Sequence, residues 1–184
     1  MNEANILYSK EGFAFSKNSK NNYSLTFQME NNFIILSKII DFSLIELIYK
    51  LNDDIYEKIY LNKINDNEVI MSMLMKHLFE DIGLPQRFSY VHMIKCVEPN
   101  KITFNSQSIY SERPSGMPDD SEQMPIKNMI CECNILTPHR MGFSCNIIFD
   151  DHMNIPQFAE KMVGLILFKI FNRVKQFIEN VRIK

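Results

Sequence analysis

The period of the hydrophobic positions changes sharply near the end of this chain. Through residues 129–136 and 141–149 the apolar residues alternate: Cys131, Cys133, Ile135, Phe143, Cys145, Ile147 and Phe149 share one side, and Glu132, Asn134, Ser144 and Asn146 the other. Such segregation predicts a β-hairpin with one dry and one wet face. A turn centred on His139 pairs Cys133 with Cys145 and Cys131 with Ile147. From Ile155 the spacing becomes helical to the C-terminus. Phe158, Met162, Leu165, Ile166, Phe168, Ile170, Phe171, Val174, Phe177, Ile178 and Val181 leave a narrow polar strip of Lys161, Lys169, Lys175, Gln176 and Lys184. A helix apolar over more than half its circumference is a buried one, and it requires a large concave partner.

The earlier chain reads as further strands and short helices. Residues 12–16 form a short strand, 17–22 a polar turn, and 23–29 a half-buried strand with Tyr23, Leu25, Phe27 and Met29 on one side. Residues 33–40 are expected to return as its hairpin partner, with Phe27 facing Ile35 and Tyr23 facing Ile39. Asp41 reads as the N-cap of a helix over 43–51, and 55–64 as a second short helix. Residues 68–79 fit both periods, with alternation of Val69, Met71, Met73 and Met75 favouring a strand. Strands over 88–97 and 101–110 flank the turn Glu98-Pro99-Asn100, in a register that sets Val97 against Ile102, Lys95 against Phe104 and Met93 against Ser106. Residues 112–125 form a long polar loop.

Length and charge narrow the function. The 184 residues suffice for one domain, taken as 1–184. A net charge of −2 lacks the basic surplus of a general nucleic-acid binder. No apolar run reaches membrane-span length, no signal peptide is expected, and four cysteines then fit reduced thiols in the cytoplasm.

Taken in order, strands, two short helices, a curved run of antiparallel strands and a long terminal helix, the chain resembles the START lipid-transfer domain of the helix-grip superfamily, as a divergent member. The likeness spans residues 12–181 and is carried by four segments: GFAFSKNSKNNYSLTF, DFSLIELIYKLNDDIYEKIY, GLPQRFSYVHM and FDDHMNIPQFAEKMVGLILFKIF. The chain departs from the family where Ile59 replaces a tryptophan and where no aspartate separates Arg87 from Phe88, and an N-terminal helix is expected to be absent. The resemblance implies an α+β fold, a curved antiparallel sheet wrapped around the C-terminal helix, and a non-catalytic carrier enclosing one lipid. Abundant Met and Phe suit an adaptable apolar pocket. The expected lining is Phe27, Ile35, Met93, Phe104, Phe143, Ile147, Met162, Ile166 and Phe171, with Arg87 or Arg113 offered to a lipid headgroup. Basic residues on the last helix are suited to transient contact with an anionic membrane.

Other chemistry has little support. The Cys131/Cys133/Cys145 cluster lacks the spacing of a structural zinc site, and buried free cysteine is commonly a small hydrophobe. His77, His92, His139 and His152 are scattered, no Gly-rich phosphate loop occurs, and no metal, cofactor or catalytic role is expected. Two rival readings use similar topology: an interaction module with an apolar groove, whose protein partner is unknown, and a TATA-binding-like DNA saddle, which needs two equivalent halves and a basic concave face.

Overall fold

A computed structural model of the protein describes residues 5–78, 80–153 and 155–182. Phe79, Ile183 and Lys184, at the ends of two predicted elements, lie outside the described residues. Ten strands form one curved sheet: β1 (Asn5–Lys10), β2 (Phe13–Ser19), β3 (Asn22–Glu30), β4 (Tyr56–Asn65), β5 (Glu68–Met75), β6 (Arg87–Glu98), β7 (Lys101–Ser108), β8 (Glu122–Gln123), β9 (Ile126–Thr137) and β10 (Arg140–Phe149). Two α-helices accompany them, α1 (Ser43–Leu51) and α2 (Gln157–Asn180). The strand order is β1-β2-β3-β10-β9-β7-β6-β5-β4, antiparallel along that path, with β8 added in parallel to β6.

Local chemistry explains most hairpins. Glu11 and Gly12 both have positive φ (52° and 79°) between the paired Lys10 and Phe13, the conformation of a tight turn whose twist matches the strands it joins. At the β6–β7 turn Glu98 pairs with Lys101, and Val97–Ile102, Lys95–Phe104 and Met93–Ser106 are all in the predicted register. The β9–β10 hairpin keeps its predicted faces but not its register. Cys145 faces Cys131, Phe143 faces Cys133 and Ile147 faces Met129, a shift of two residues. The cause lies at the turn, where Arg140 pairs with Thr137 and a register shift follows before Met141. An even shift leaves every side chain on its own face.

Two predicted elements are corrected. Residues 33–40 are not a strand, because β2 and β10 occupy both edges of β3. They form a turn with a short 3-10 helix, Leu36–Lys38, fastened by the Asn31 Oδ1 acceptor to the N–H groups of Phe33 (2.7 Å) and Ile34 (3.2 Å). Residues 55–64 are not a helix but the edge strand β4, in which Ile59 and Leu61 turn toward the core while Lys58 and Lys63 mark the open edge. Residues 68–75 resolve to strand, and a further strand, β1, precedes β2, which the periodicity did not reveal. Helix α1 spans the predicted 43–51, although the Asp41 carboxylate binds the Phe42 N–H and Lys95 rather than the next helical amides.

Helix α2 lies in the concavity and packs on β1, β3 and α1. Three buried asparagines fasten the chain around it. The Asn21 amide donates to Asp150 O (2.8 Å) and Met153 O (2.9 Å), just before the helix. The Asn31 amide donates to Ile178 O (2.6 Å) and Val181 O (3.0 Å), satisfying carbonyls that a helix C-terminus leaves unpaired. Asn52, at the end of α1, donates to Ile48 O (2.9 Å) and accepts from Arg173 (3.1 Å). Gly164 is the point of closest approach: a Cβ there would lie 2.9 Å from both Phe15 Cδ1 and Tyr8 Cβ. Replacing Gly164 with valine should therefore overpack the grip and cost about 2–3 kcal/mol, lowering the melting temperature by roughly 4–12 °C in a thermal denaturation measurement.

Candidate functional site

Cross-strand register defines what the inner face of the sheet presents. One row runs Val69, Met93, Ser106, Met129, Ile147, Tyr23 across six strands. The next runs Lys95, Phe104, Cys131, Cys145, Leu25, Phe15, and a third Val97, Ile102, Cys133, Phe143, Phe27. Directly paired residues share a face, so these rows form one largely apolar wall beneath α2. Phe27, Phe143 and Phe171 meet there with ring centroids 4.9, 5.5 and 5.6 Å apart, joining β3, β10 and the helix. Such ring pairs each contribute about 0.5–1.5 kcal/mol beyond their buried area.

The predicted lining residues do not all converge. Phe27, Met93 and Phe104 are buried on the inner face, and Phe143, Ile147 and Phe171 are half-buried beside them. Ile166 points to a neighbouring cluster with Ile55, Tyr56 and Ile170. Met162 is on the outward side of α2, 42% exposed, and Ile35 lies at the surface before the 3-10 helix, away from the hairpin position expected for it. Arg87 sits at the start of β6 with its guanidinium on Glu122 at 2.6 Å. Arg113 is consumed by the long loop, donating to Pro118 O and Ser121 O and stacking over Phe88. That loop covers the outer face, where Met117 packs with Leu74, Phe88 and Tyr90.

Sequence reading missed the polar groups that touch this interior. Glu160, on the first turn of α2, is buried and accepts from Lys17 Nζ and Tyr23 Oη, both at 2.6 Å. Burial, and then the hydrogen bond to Glu160, push the Tyr23 phenol above its ordinary range. Ser106 is fully buried in the first row, and its Oγ has no hydrogen-bond partner. Leaving a buried hydroxyl unpaired costs about 1–3 kcal/mol. An isolated serine in an alternating strand carries no signal of this kind in the sequence.

The cysteines are free thiols. Cys131 donates to Cys145 with the sulfurs 2.8 Å apart, and that hydrogen bond together with burial holds the Cys131 thiol well above its usual range. Burial pushes Cys133 up to about 12. Among the described residues no three His, Cys, Asp or Glu are grouped to hold a metal ion, and no helix is long and apolar enough to cross a membrane. Two open surface clefts are present, one between the ends of α1 and α2 by Leu51, Arg173, Phe177 and Val181 and one by Tyr110, Glu112 and Arg113.

No family model and no curated protein matches the sequence. Solved structures do. The lipid transfer and protein localization domain of human StarD13 matches with a TM-score of 0.70 and 11% identity, over 98% of this chain and 91% of that one. A STAR-related lipid transfer protein fragment from Xanthomonas axonopodis matches at 0.70 and 10%, over 95% and 98%. The chain has the START helix-grip fold. A looser likeness, at TM-score 0.50 and 6% identity, covers 90% of this chain and 52% of the di-domain ARO/CYC BexL. In this START fold the concave face is covered by α2 and lined by apolar side chains, not the open basic surface that a DNA saddle requires.

The thiols give a direct check of the inner wall. A group whose folded pKa is raised stabilises the fold fully below its ordinary pKa and loses that contribution as pH rises toward the folded value. Stability should thus decline from about pH 9 toward 12 as Cys133 is forced to ionise. At about pH 8 a disulfide reagent such as Ellman's should modify exposed Cys96 quickly, half-buried Cys131 more slowly, and buried Cys133 and Cys145 only on unfolding; fast modification of Cys133 or Cys145 contradicts this placement.

Proposed function

We propose that the protein binds an apolar ligand, a lipid or similar molecule, between the inner face of its sheet and α2, and acts as a carrier without catalysis. The supporting observation is the exposure pattern beneath the helix. Met129, Cys131, Phe143, Ile147 and Phe149 on the sheet, with Val163, Ile166, Leu167 and Phe171 on the helix, remain only half-buried although they belong to or flank the hydrophobic core. A wall of partly accessible apolar side chains under a covering helix is the surface that a greasy guest completes, since each apolar group removed from water is stabilising. Met93, Met129 and the soft thiols on that wall suit an adaptable fit.

Absence of catalysis is supported by the state of the interior nucleophiles. The thiols of Cys131 and Cys133 are held protonated, and protonated thiols are poor nucleophiles. Exchange at a membrane belongs to the same proposal. Phe158, Met162 and Leu165 lie at i, i+4 and i+7 on the outward face of α2, all more than 40% exposed, next to Lys161. That stripe gives an apolar contact flanked by positive charge for an anionic leaflet. A cytosolic setting is supported by four unpaired cysteines.

Native mass spectrometry of the purified protein, followed by lipid extraction, should reveal a mass increment that releases as a lipid. Ile166→Asp, which puts a charge beside that wall, should reduce the increment at least about tenfold while the far-ultraviolet circular dichroism is retained. Undiminished loading of the Ile166→Asp variant contradicts the proposed binding region.

A further inference from the structure

We propose that Cys131 and Cys145 are an oxidisable dithiol: a modification site in the inner wall that takes a small uncharged peroxide, loses two electrons and closes as a disulfide between β9 and β10. This chemistry is independent of the apolar-ligand reading, because it needs only the hairpin. The two residues are direct partners in the β9–β10 register, and their sulfurs lie 2.8 Å apart with one thiol proton between them. Directly opposed residues of an antiparallel pair hold their Cβ atoms about 4.5–5.5 Å apart, and a disulfide needs roughly 3.5–4.5 Å. A small closing movement within one hairpin therefore suffices, with no change of register. Cys133 has no such partner, because Phe143 stands opposite it and Cys131 is two places along the same strand. Cys96 lies on the other face of the sheet, paired with Thr103. The geometry thus selects one pairing among the four thiols.

The exposure of the pair sets the order of events. Cys131 is half-buried and Cys145 buried, so a small oxidant such as hydrogen peroxide meets the Cys131 sulfur first. That sulfur attacks one peroxide oxygen and breaks the O–O bond; Cys131 becomes a sulfenic acid and one water leaves. The Cys145 sulfur then attacks the sulfenic sulfur, its thiol proton departs with the hydroxyl as a second water, and the S–S bond forms. Two thiols are oxidised and one peroxide is reduced. The first step requires loss of the Cys131 proton, which the hydrogen bond to Cys145 and burial both oppose. It is slow beside oxidation of exposed Cys96, so the pair records sustained rather than brief oxidant. The second step is fast, because the resolving thiol is already in contact. The product ties two neighbouring strands together and closes a loop of about 15 residues, which stabilises the fold by restricting the unfolded chain.

Cys96→Ser removes the exposed thiol and leaves the pair intact. The folded variant is treated with millimolar hydrogen peroxide near neutral pH, denatured in iodoacetamide and mapped by mass spectrometry. Sulfoxide at Met162, which is 42% exposed, serves as the internal clock. By the time Met162 is fully oxidised, a Cys131–Cys145 linked peptide is expected, with Cys133 still alkylated. The melting temperature should rise by roughly 5–10 °C and return on treatment with dithiothreitol. In Cys145→Ser neither the link nor the rise should appear. A Cys131–Cys133 link, or Cys131 and Cys145 both still alkylated when Met162 is fully oxidised, overturns the proposal. Sulfinic acid at Cys131 in place of the link overturns it equally. A link with no rise in melting temperature overturns the locking of β9 to β10. Should Cys145→Ser not fold, the linkage map of Cys96→Ser decides alone.

Discussion

The molecule is organised by one requirement, that α2 bury its apolar side in the concavity of a sheet whose strands come from both ends of the chain. The N-terminal meander β1–β3 and the C-terminal hairpin β9–β10 meet only because β3 and β10 pair, from Asn22–Ile148 to Glu30–Arg140. That ladder places Phe27 beside Phe143 and gives Phe171 a seat on both. The helix is then fixed in position by Gly164 at its closest contact and by buried asparagines before and after it. Each of these asparagine amides bridges two carbonyls of the chain flanking the helix, so the fastening is specific as well as stabilising.

Polar groups are distributed to keep that interior uncharged. Glu160 enters the core with its charge met by Lys17 and Tyr23, and Lys169 and Arg173 are drawn to Asp54 on the far side of the helix. The hydrogen bonds from Arg173, and then that from Lys169, hold the Asp54 carboxyl well below the usual carboxylate range. The Cys131 and Cys133 thiols on the inner wall are held above their ordinary range, so they behave as small, polarizable apolar groups. What remains facing the helix is hydrocarbon, aromatic rings, sulfur and, among the described residues, a single unsatisfied hydroxyl.

Elements with strong local signals were legible in the sequence. Helix α1, the β6–β7 register across Pro99-Asn100 and the faces of β9–β10 all follow from turn chemistry and short-range periodicity. The order of such elements sufficed to recognise the START fold. Long-range pairing was not legible. Residues 33–40 are as apolar as a strand, but the edge of β3 they would need is already taken by β10, which lies far along the chain. The 55–64 segment satisfies helical spacing with Ile55, Ile59 and Tyr60, yet pairing with β5 overrides that preference. The β9–β10 slip of two residues kept the lining residues Phe143 and Ile147 on the correct face, whereas the misplaced 33–40 strand sent Ile35 to the surface. Met162 was misjudged because a helix apolar over most of its circumference does not reveal which side meets the sheet.

The central claim, that the space between sheet and helix accepts an apolar guest, is tested most directly by crystallography with a long-chain alcohol brominated at its alkyl terminus. Anomalous bromine density enclosed between α2 and the row through Ser106, Met129 and Ile147 is the expected result. Bromine found only on the outward stripe of α2, with no density between the helix and the inner face of the sheet, would contradict it.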